Sequence, residues 1–363
     1  MIIRELISIL EQWAPSVYQE SYDNAGLLTG SPLWEISKAL ICLDCTEEVI
    51  EEAIRERCNI VIAHHPIIFS GLKKLTGKNY VERTIIKAIK NDIAIYAIHT
   101  NLDNIHTGVN HMMAEKLGLL NCKILSPKKN HLRKLVCFVP SEAIEKVSQA
   151  IFDAGAGHIG NYSHCGFSTE GRGSFMGNEL SSPAIGKAMT LENLCEQRFE
   201  TVFPVHLENK VIQAMLNAHP YEEVAYDIYS IENRHNQVGS GLIGELQQEM
   251  KLETFLHQIK DAFLLKSLKY SKLDRPIKTV ALCGGSGSFL RFEAASAGAD
   301  VYLSADFKYH EWFDNEEQIS YIDIGHYESE QFTNELILNY LEKNALSLQS
   351  QISKVNTNPV NYL

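Results

Sequence analysis

The chain has no uninterrupted apolar run approaching the ~20 residues that a transmembrane helix needs. Its first stretch, MIIRELISILEQWAP, carries Glu5 and Glu11 inside its apolar pattern and lacks the continuous apolar region and small-residue cleavage site of a signal peptide. It reads instead as an amphipathic helix with Ile2, Leu6, Ile9, Leu10 and Trp13 on one side. Positive charge is scarce: 33 Lys and Arg stand against 45 Asp and Glu, a formal net charge of −12. That balance argues against a general nucleic-acid or acidic-membrane surface, while leaving room for a local basic pocket that takes a small anion. The eight cysteines are scattered and lie mostly in apolar segments, which argues against a disulfide framework. They read as reduced core thiols of a cytoplasmic protein.

What is present is ordinary for a folded protein: 363 residues, 45% hydrophobic and 21% charged, enough for two or three domains with a substantial core. To about residue 125, short apolar segments alternate with helical patterns. KALICLDC (38 to 45), NIVIAHH and AIYAIHT (94 to 100) read as strands; TEEVIEEAIRERC, with Thr46 as N-cap, and VERTIIKAIKND read as helices. Alternation of this length indicates βαβ units and a parallel sheet. The pattern stops at LSPKKNHLRK (125 to 134), and a different order follows. KLVCFVP is a strand, SEAIEKVSQAIFDAG a helix from Ser141 to Gly155, CGFSTEGRGSFMG a hairpin or long β-loop, ETVFPVHL a strand, ENKVIQAMLNAH a helix and VAYDIYSI a closing strand. This β-α-β-β-α-β order is the ferredoxin-like arrangement.

After RHNQVGSG (234 to 241) the first pattern resumes, with strands at TVALC, ADVYLSAD and ISYIDIGH and a long last helix, SEQFTNELILNYLEKNAL. The expected fold class is therefore α/β: a two-part core with mostly parallel sheets, residues 1–128 and 235–363, interrupted by an inserted α+β domain at 129–234.

Polar residues gather where the strands end. His64 and His65 close NIVIAHH just before Pro66, which favours an extended or turn conformation there. Side chains alternate along a strand, so two adjacent imidazoles can face two centres. As a pair alone they equally suit a strand ending in solvent. Asp103 and His99 follow AIYAIHTNLD; His326 and Glu330 follow SYIDIG and fall one helical turn apart. Histidine with carboxylate is a ligand set for zinc, manganese or iron, and without thiolate it leaves positions open to water. His64, His65, Asp103, His326 and Glu330 thus suit two metals bridged by a carboxylate, the alternative being that each is an independent polar residue at a strand end.

GGSGSF (284 to 289) between a strand and a helix could let the amides of Gly285, Ser286 and Gly287 hold phosphate, but it lacks the P-loop lysine and the third dinucleotide glycine, so a plain tight turn fits as well. Asp306 and His310, in SADFKYH, suit either acid/base or supporting roles in the same cleft or a surface turn. In the middle region, GAGHIGNYSHCGF and AHPYEEVAYDIY place His158, His164 and His219 where they could bind a ligand or shape a loop.

DNAGLLTG (23 to 30), IAHHPIIF, HTNLD, GGSGSF and GHYESE, in this order, resemble the NGG-interacting-factor-three family, also labelled GTP cyclohydrolase I type 2 homologs. GHIGNY and HPYEEVAYD resemble the PII/CutA-like insertion of its longer bacterial members. The resemblance implies two divalent metal ions per subunit on His64, His65, Asp103, His326 and Glu330, with zinc the first expectation and manganese or iron the alternatives. It also implies His99 and His310 in the surrounding pocket and a toroidal homohexamer. Ser304-Ala305-Asp306 stands where many relatives have Thr-Gly-Asp, keeping the aspartate. The implied activity is hydrolysis of GTP or a related nucleotide by metal-bound hydroxide, with proton transfer by His99, His310 or Asp306. A phosphoesterase, or a ligand-sensing hexamer without turnover, is the competing expectation.

Overall fold

A computed structural model describes residues 1–316 and 318–363. Contacts divide it into two compact units, Met1–Pro127 with Gln237–Leu363, and Lys128–Asn236.

The first unit holds two sheets. In one, Ser350–Ile352, Ala39–Asp44, Ile60–His65 and Ala94–Ala97 run parallel in that spatial order, and Gly26–Thr29 closes the edge antiparallel. Ile60, Val61, Ile62 and Ala63 are wholly buried. That is why this strand reads as a continuous apolar run and shows no alternation: both of its faces are covered. The helix Glu47–Arg55 begins where Thr46 Oγ1 accepts the Val49 N–H at 3.4 Å, a cap worth about 1 kcal/mol. The other sheet orders Lys269–Tyr270, Ser320–Asp323, Val301–Ser304, Ile277–Leu282, His235–Met250 and Leu120–Lys128, its three middle strands after the first running parallel.

Three elements depart from expectation. The resumed pattern starts earlier than expected, because the strand His235–Met250 already runs through RHNQVGSG. The last helix is two, His326–Glu330 and Thr333–Asn344. The chain beyond them returns to add Ser350–Ile352 beside Ala39–Asp44, in register Gln351 to Leu40. A three-residue strand has too short a pattern to be read from sequence.

Cys42 and Cys45 stand in C-x-x-C spacing at the end of Ala39–Asp44, a spacing that can mark a redox pair. Both are buried, and burial pushes both thiols up, Cys45 to about 12. They are inert core thiols, and all eight cysteines are unbridged.

In the second unit, Leu132–Pro140, Ile144–Asp153, Gly166–Phe175, Glu192–Pro204, Glu208–Ala218 and Tyr226–Ile231 run β-α-β-β-α-β. The strands pair antiparallel, with Leu132–Pro140 between Glu192–Pro204 and Tyr226–Ile231, and Gly166–Phe175 outermost. Leu135, Cys137, Val139, Phe199 and Phe203 pack under Val147, Ile151, Val211 and Met215. Ser141 does not cap the first helix. It lies in a 3-10 turn, Ser141–Ala143, and the helix starts at Ile144 without a side-chain cap. Gly155 ends it as expected, at φ 106, a conformation that favours glycine.

Among the described residues no helix is long and apolar enough to cross a membrane.

Candidate metal centre

His64 and His65 sit at the carboxyl end of a central parallel strand, and alternation gives them different surroundings. His64 is wholly buried. Its Nδ1–H donates to the Ile98 carbonyl at 2.8 Å, which leaves the Nε2 lone pair free to act as a ligand. That Nε2 lies 3.6 Å from Asp103 Oδ1 and 4.0 Å from Glu330 Oε1. His65 pairs through Nδ1 with Asp44 Oδ1 at 2.8 Å and through Nε2 with Glu330 Oε2 at 3.0 Å. Asp44 closes the neighbouring strand directly opposite His65 in the register.

From the other sheet, Gly325 at φ 91 turns the chain out of Ser320–Asp323 into the short helix His326–Glu330. One turn then brings His326 Nε2 to 3.2 Å from Glu330 Oε2, while His326 Nδ1 pairs with Asp306 Oδ2 at 2.7 Å. Glu330 is therefore shared. Its Oε2 meets His65 and His326, and its Oε1 faces His64 and, beyond it, Asp103.

The two sides are charged differently. Burial drives the His64 imidazole down to about 3, so it is neutral. Burial also opposes charge on His65 and His326, but hydrogen bonds to Asp44 and Glu330, and to Asp306 and Glu330, outweigh it and hold them up at about 10 and 11. Against its own burial, Glu330 is kept well below the carboxylate range by His326 and His65. Asp103 is pushed well above that range by burial and by the Glu330 charge. The cluster thus balances Glu330 with two imidazolium protons and favours the protonated form of Asp103.

Among the described residues three groups have ligand atoms close enough to share an ion: His64, His65 and His99; His65, His326 and Glu330; His64, Asp103 and Glu330. The residues fit a metal on an independent observation. His64 Nε2 and Asp103 Oδ1 are buried, face each other and have no hydrogen-bond partner. Buried polar atoms are rarely left so, and a cation between them would satisfy both lone pairs.

His99 lies with this cluster, its ring centre 5.3 Å from those of His64 and His65. Its Nδ1 pairs with Asp23 Oδ1 at 2.8 Å. Asp23 also accepts the Thr100 N–H at 3.0 Å and the Thr100 hydroxyl, and it is lowered to about 2 because these bonds, led by that to His99, outweigh its burial.

Two expectations are corrected. The Gly285 and Gly287 amides are not available to a phosphate: they donate to Ser329 Oγ at 2.9 Å and Ser304 Oγ at 3.1 Å. The glycine at 285, at φ 59, is needed for space, since a Cβ there would come within 2.3 Å of Glu330 Oε1. Ser286 instead bonds Asp306, the partner of His326. His310 is exposed on the 3-10 segment Tyr309–Asn315, with its ring against Tyr309 and Phe313, apart from the hydrogen bonds and ion pairs of the cluster.

Sequence reasoning passed over Asp44, Asp23 and Thr357, whose hydroxyl donates to Asp44 Oδ2 at 2.8 Å. Asp44 was the most accessible of them, being a carboxylate at a strand end in the same sheet as His65. Beside the cluster lies a cavity of about 780 Å³, with His65, His326, Asp306, Lys269, Tyr327 and Tyr362 in its wall.

The chain is similar to one family model and to three known proteins. The family model described as Duf34/NIF3 (NGG1p interacting factor 3) matches residues 1–359. The GTP cyclohydrolase 1 type 2 homolog of Bacillus subtilis is 39% identical over 367 aligned residues, covering 99% of this chain and 98% of that protein. The protein of the same name from Halalkalibacterium halodurans is 41% identical over 324 residues, 88% of this chain and 87% of its own. The crystal structure of a Bacillus cereus protein related to NIF3 matches with a TM-score of 0.87 at 40% identity, over 100% of this chain and 99% of that one.

Proposed function

The chain belongs to the Duf34/NIF3 family, and from that premise we propose that it is a metal-dependent hydrolase with a dinuclear site that acts on GTP or a related nucleotide. The observation that carries the reading is Glu330, whose two carboxylate oxygens face two different donor sets. His64, Asp103 and Glu330 Oε1 form one, and His65, His326 and Glu330 Oε2 the other. Two divalent cations, zinc first among them, would supply Lewis acidity and lower the pKa of a water molecule.

The chain's own residues do the rest. The Ile98 carbonyl, Asp44 and Asp306 each engage the Nδ1 of one histidine and so present its Nε2 to the site. Asp23 does the same for His99, making His99 Nε2 the atom that accepts and returns a proton. Lys269, whose Nζ pairs with Asp323 Oδ2 at 3.2 Å, and Tyr327 stand in the cavity wall, where they would meet phosphate and base. A cavity of about 780 Å³ is of the size that takes a nucleotide. The nucleotide itself is suggested by the names of the relatives. The homohexamer expected from the family belongs to the same proposal.

The test is mass-spectrometric analysis of products after metal-replete protein is incubated with a nucleotide panel that includes GTP, beside Glu330→Ala. A ring-opened product from the wild type alone is expected. Unchanged nucleotides in both samples would remove the hydrolase reading, and equal turnover in both would remove this site.

A further inference from the structure

The HPYEEVAYD segment (219 to 227) takes no part in the metal centre, yet it is built around a cavity of its own. In the second unit a space of about 780 Å³ lies between the ends of Leu132–Pro140, Gly166–Phe175 and Glu192–Pro204, the connection that follows Phe175, and the turn at Tyr221. Its apolar wall includes Phe138, Phe175, Met176 and Ile185. Beside the neutral Ser174, Asn178, Ser181 and Tyr221 its wall carries three carboxylates, Glu196, Glu222 and Glu223, and among the described residues no lysine, arginine or histidine lines it.

One carboxylate of this wall, Glu196, is held in place. His219 is buried; its Nε2–H donates to the Phe138 carbonyl at 3.0 Å and its Nδ1 accepts the Tyr221 N–H at 3.1 Å. Those two bonds set the turn so that the Tyr221 hydroxyl donates to Glu196 Oε1 at 2.9 Å. Glu196 Oε2 fills the space left by Gly173, where a Cβ would come within 2.1 Å of it. Glu222 braces the far side, its Oε1 accepting the Ser182 N–H at 2.8 Å.

We propose that this cavity binds a small organic cation, an amine or guanidine attached to an apolar body. The volume and the apolar wall suit the body of such a molecule. A bare metal ion would leave most of that space unfilled. An anion would meet three carboxylates with no compensating charge. The cationic head pairs with Glu196, whose Tyr221 bond occupies one oxygen and leaves lone pairs on the other, and the rings of Phe138, Phe175 and Tyr221 offer cation–π faces. Binding here does not depend on the hydrolase reading.

The experiment is isothermal titration of the full-length, metal-replete protein with three probes that share one body: tryptammonium, the neutral indole-3-ethanol and the anionic indole-3-propionate. Tryptammonium is expected to bind at micromolar to millimolar concentration and at least roughly tenfold more tightly than the other two. Glu196→Gln, which keeps an oxygen for Tyr221, should remove that preference. The exposed pair Glu222→Gln with Glu223→Gln should weaken it by a smaller factor without affecting folding. Equal affinity for all three probes, no heat from any of them, or an unchanged preference in Glu196→Gln would each overturn the proposal.

Discussion

His64 and His65 are adjacent in the chain and share one carboxylate, yet their protons are governed in opposite ways. His64 meets Glu330 Oε1 from a fully buried position, is neutral and leaves its Nε2 without a partner. His65 meets Glu330 Oε2 with Asp44 behind it and holds a proton up to about pH 10. The difference comes from what lies behind each ring. A backbone carbonyl fixes a tautomer without adding charge, whereas a carboxylate fixes it and also stabilises the imidazolium. One imidazole therefore offers a lone pair ready for a cation, and the other must first release its proton.

Removing the group that both sides share breaks the comparison most severely. Glu330→Ala should abolish metal retention on both sides, weakening affinity by more than the roughly 100-fold that loss of a supporting group can cause. Inductively coupled plasma mass spectrometry after dialysis reads this directly. Retention of an undiminished metal content would show that the two donor sets do not depend on Glu330.

Proton release sharpens the comparison. His65 and His326, at about 10 and 11, carry protons at neutral pH that a metal must displace, while His64, at about 3, carries none. Metal affinity should therefore rise with pH through the neutral range. Titration in buffers of different ionisation enthalpy should show fewer protons released per ion in His65→Gln, and unchanged release from the imidazoles in His64→Gln.

The same asymmetry should appear in the stability of the metal-free protein. His64 lies below its ordinary 6.5, so the unfolded chain binds the extra proton first, and stability present above pH 6.5 is lost as pH falls toward 3. His65 and His326 lie above 6.5, so what they contribute is present below 6.5 and is lost as pH rises through 10 and 11. Thermal melts across pH should fall on both limbs. His64→Gln should flatten only the acid limb, and His65→Gln only the alkaline one.

The smallest effect is expected from Thr357→Val, which removes the hydroxyl on Asp44 Oδ2. Metal affinity should drop by about tenfold or less, and only on the side of His65 and His326, with Thr357→Ser restoring it. A visible-absorption titration with cobalt distinguishes the sides by their band positions.

Much of this centre was legible because parallel strands deliver polar residues at their carboxyl ends. NIVIAHH, AIYAIHTNLD and SYIDIGH each announce a buried strand that stops at a histidine, and the spacing of His326 and Glu330 is a helical turn. The groups behind the histidines were not legible. Asp44 becomes the partner of His65 only through strand register, Asp23 reaches His99 across 76 positions of chain, and Thr357 arrives with a tail that no periodicity marks. GGSGSF left two readings open for a related reason: a glycine pattern states that the backbone comes close to something, but not whether that is a phosphate or the side chain of Glu330.

By itself, then, the sequence determined the types of strand and helix, the metal-competent residues and the point where a second kind of pattern interrupts the first. These depend on local periodicity and on residue chemistry, which are written along the chain. Only the tertiary structure decided that Glu330 faces both ways, that His64 is neutral while His65 is charged, and that His310 is exposed with its ring against Tyr309 and Phe313. Each of those follows from burial and from the positions of charges far away in the chain, and electrostatics inside a protein are set by distance in space.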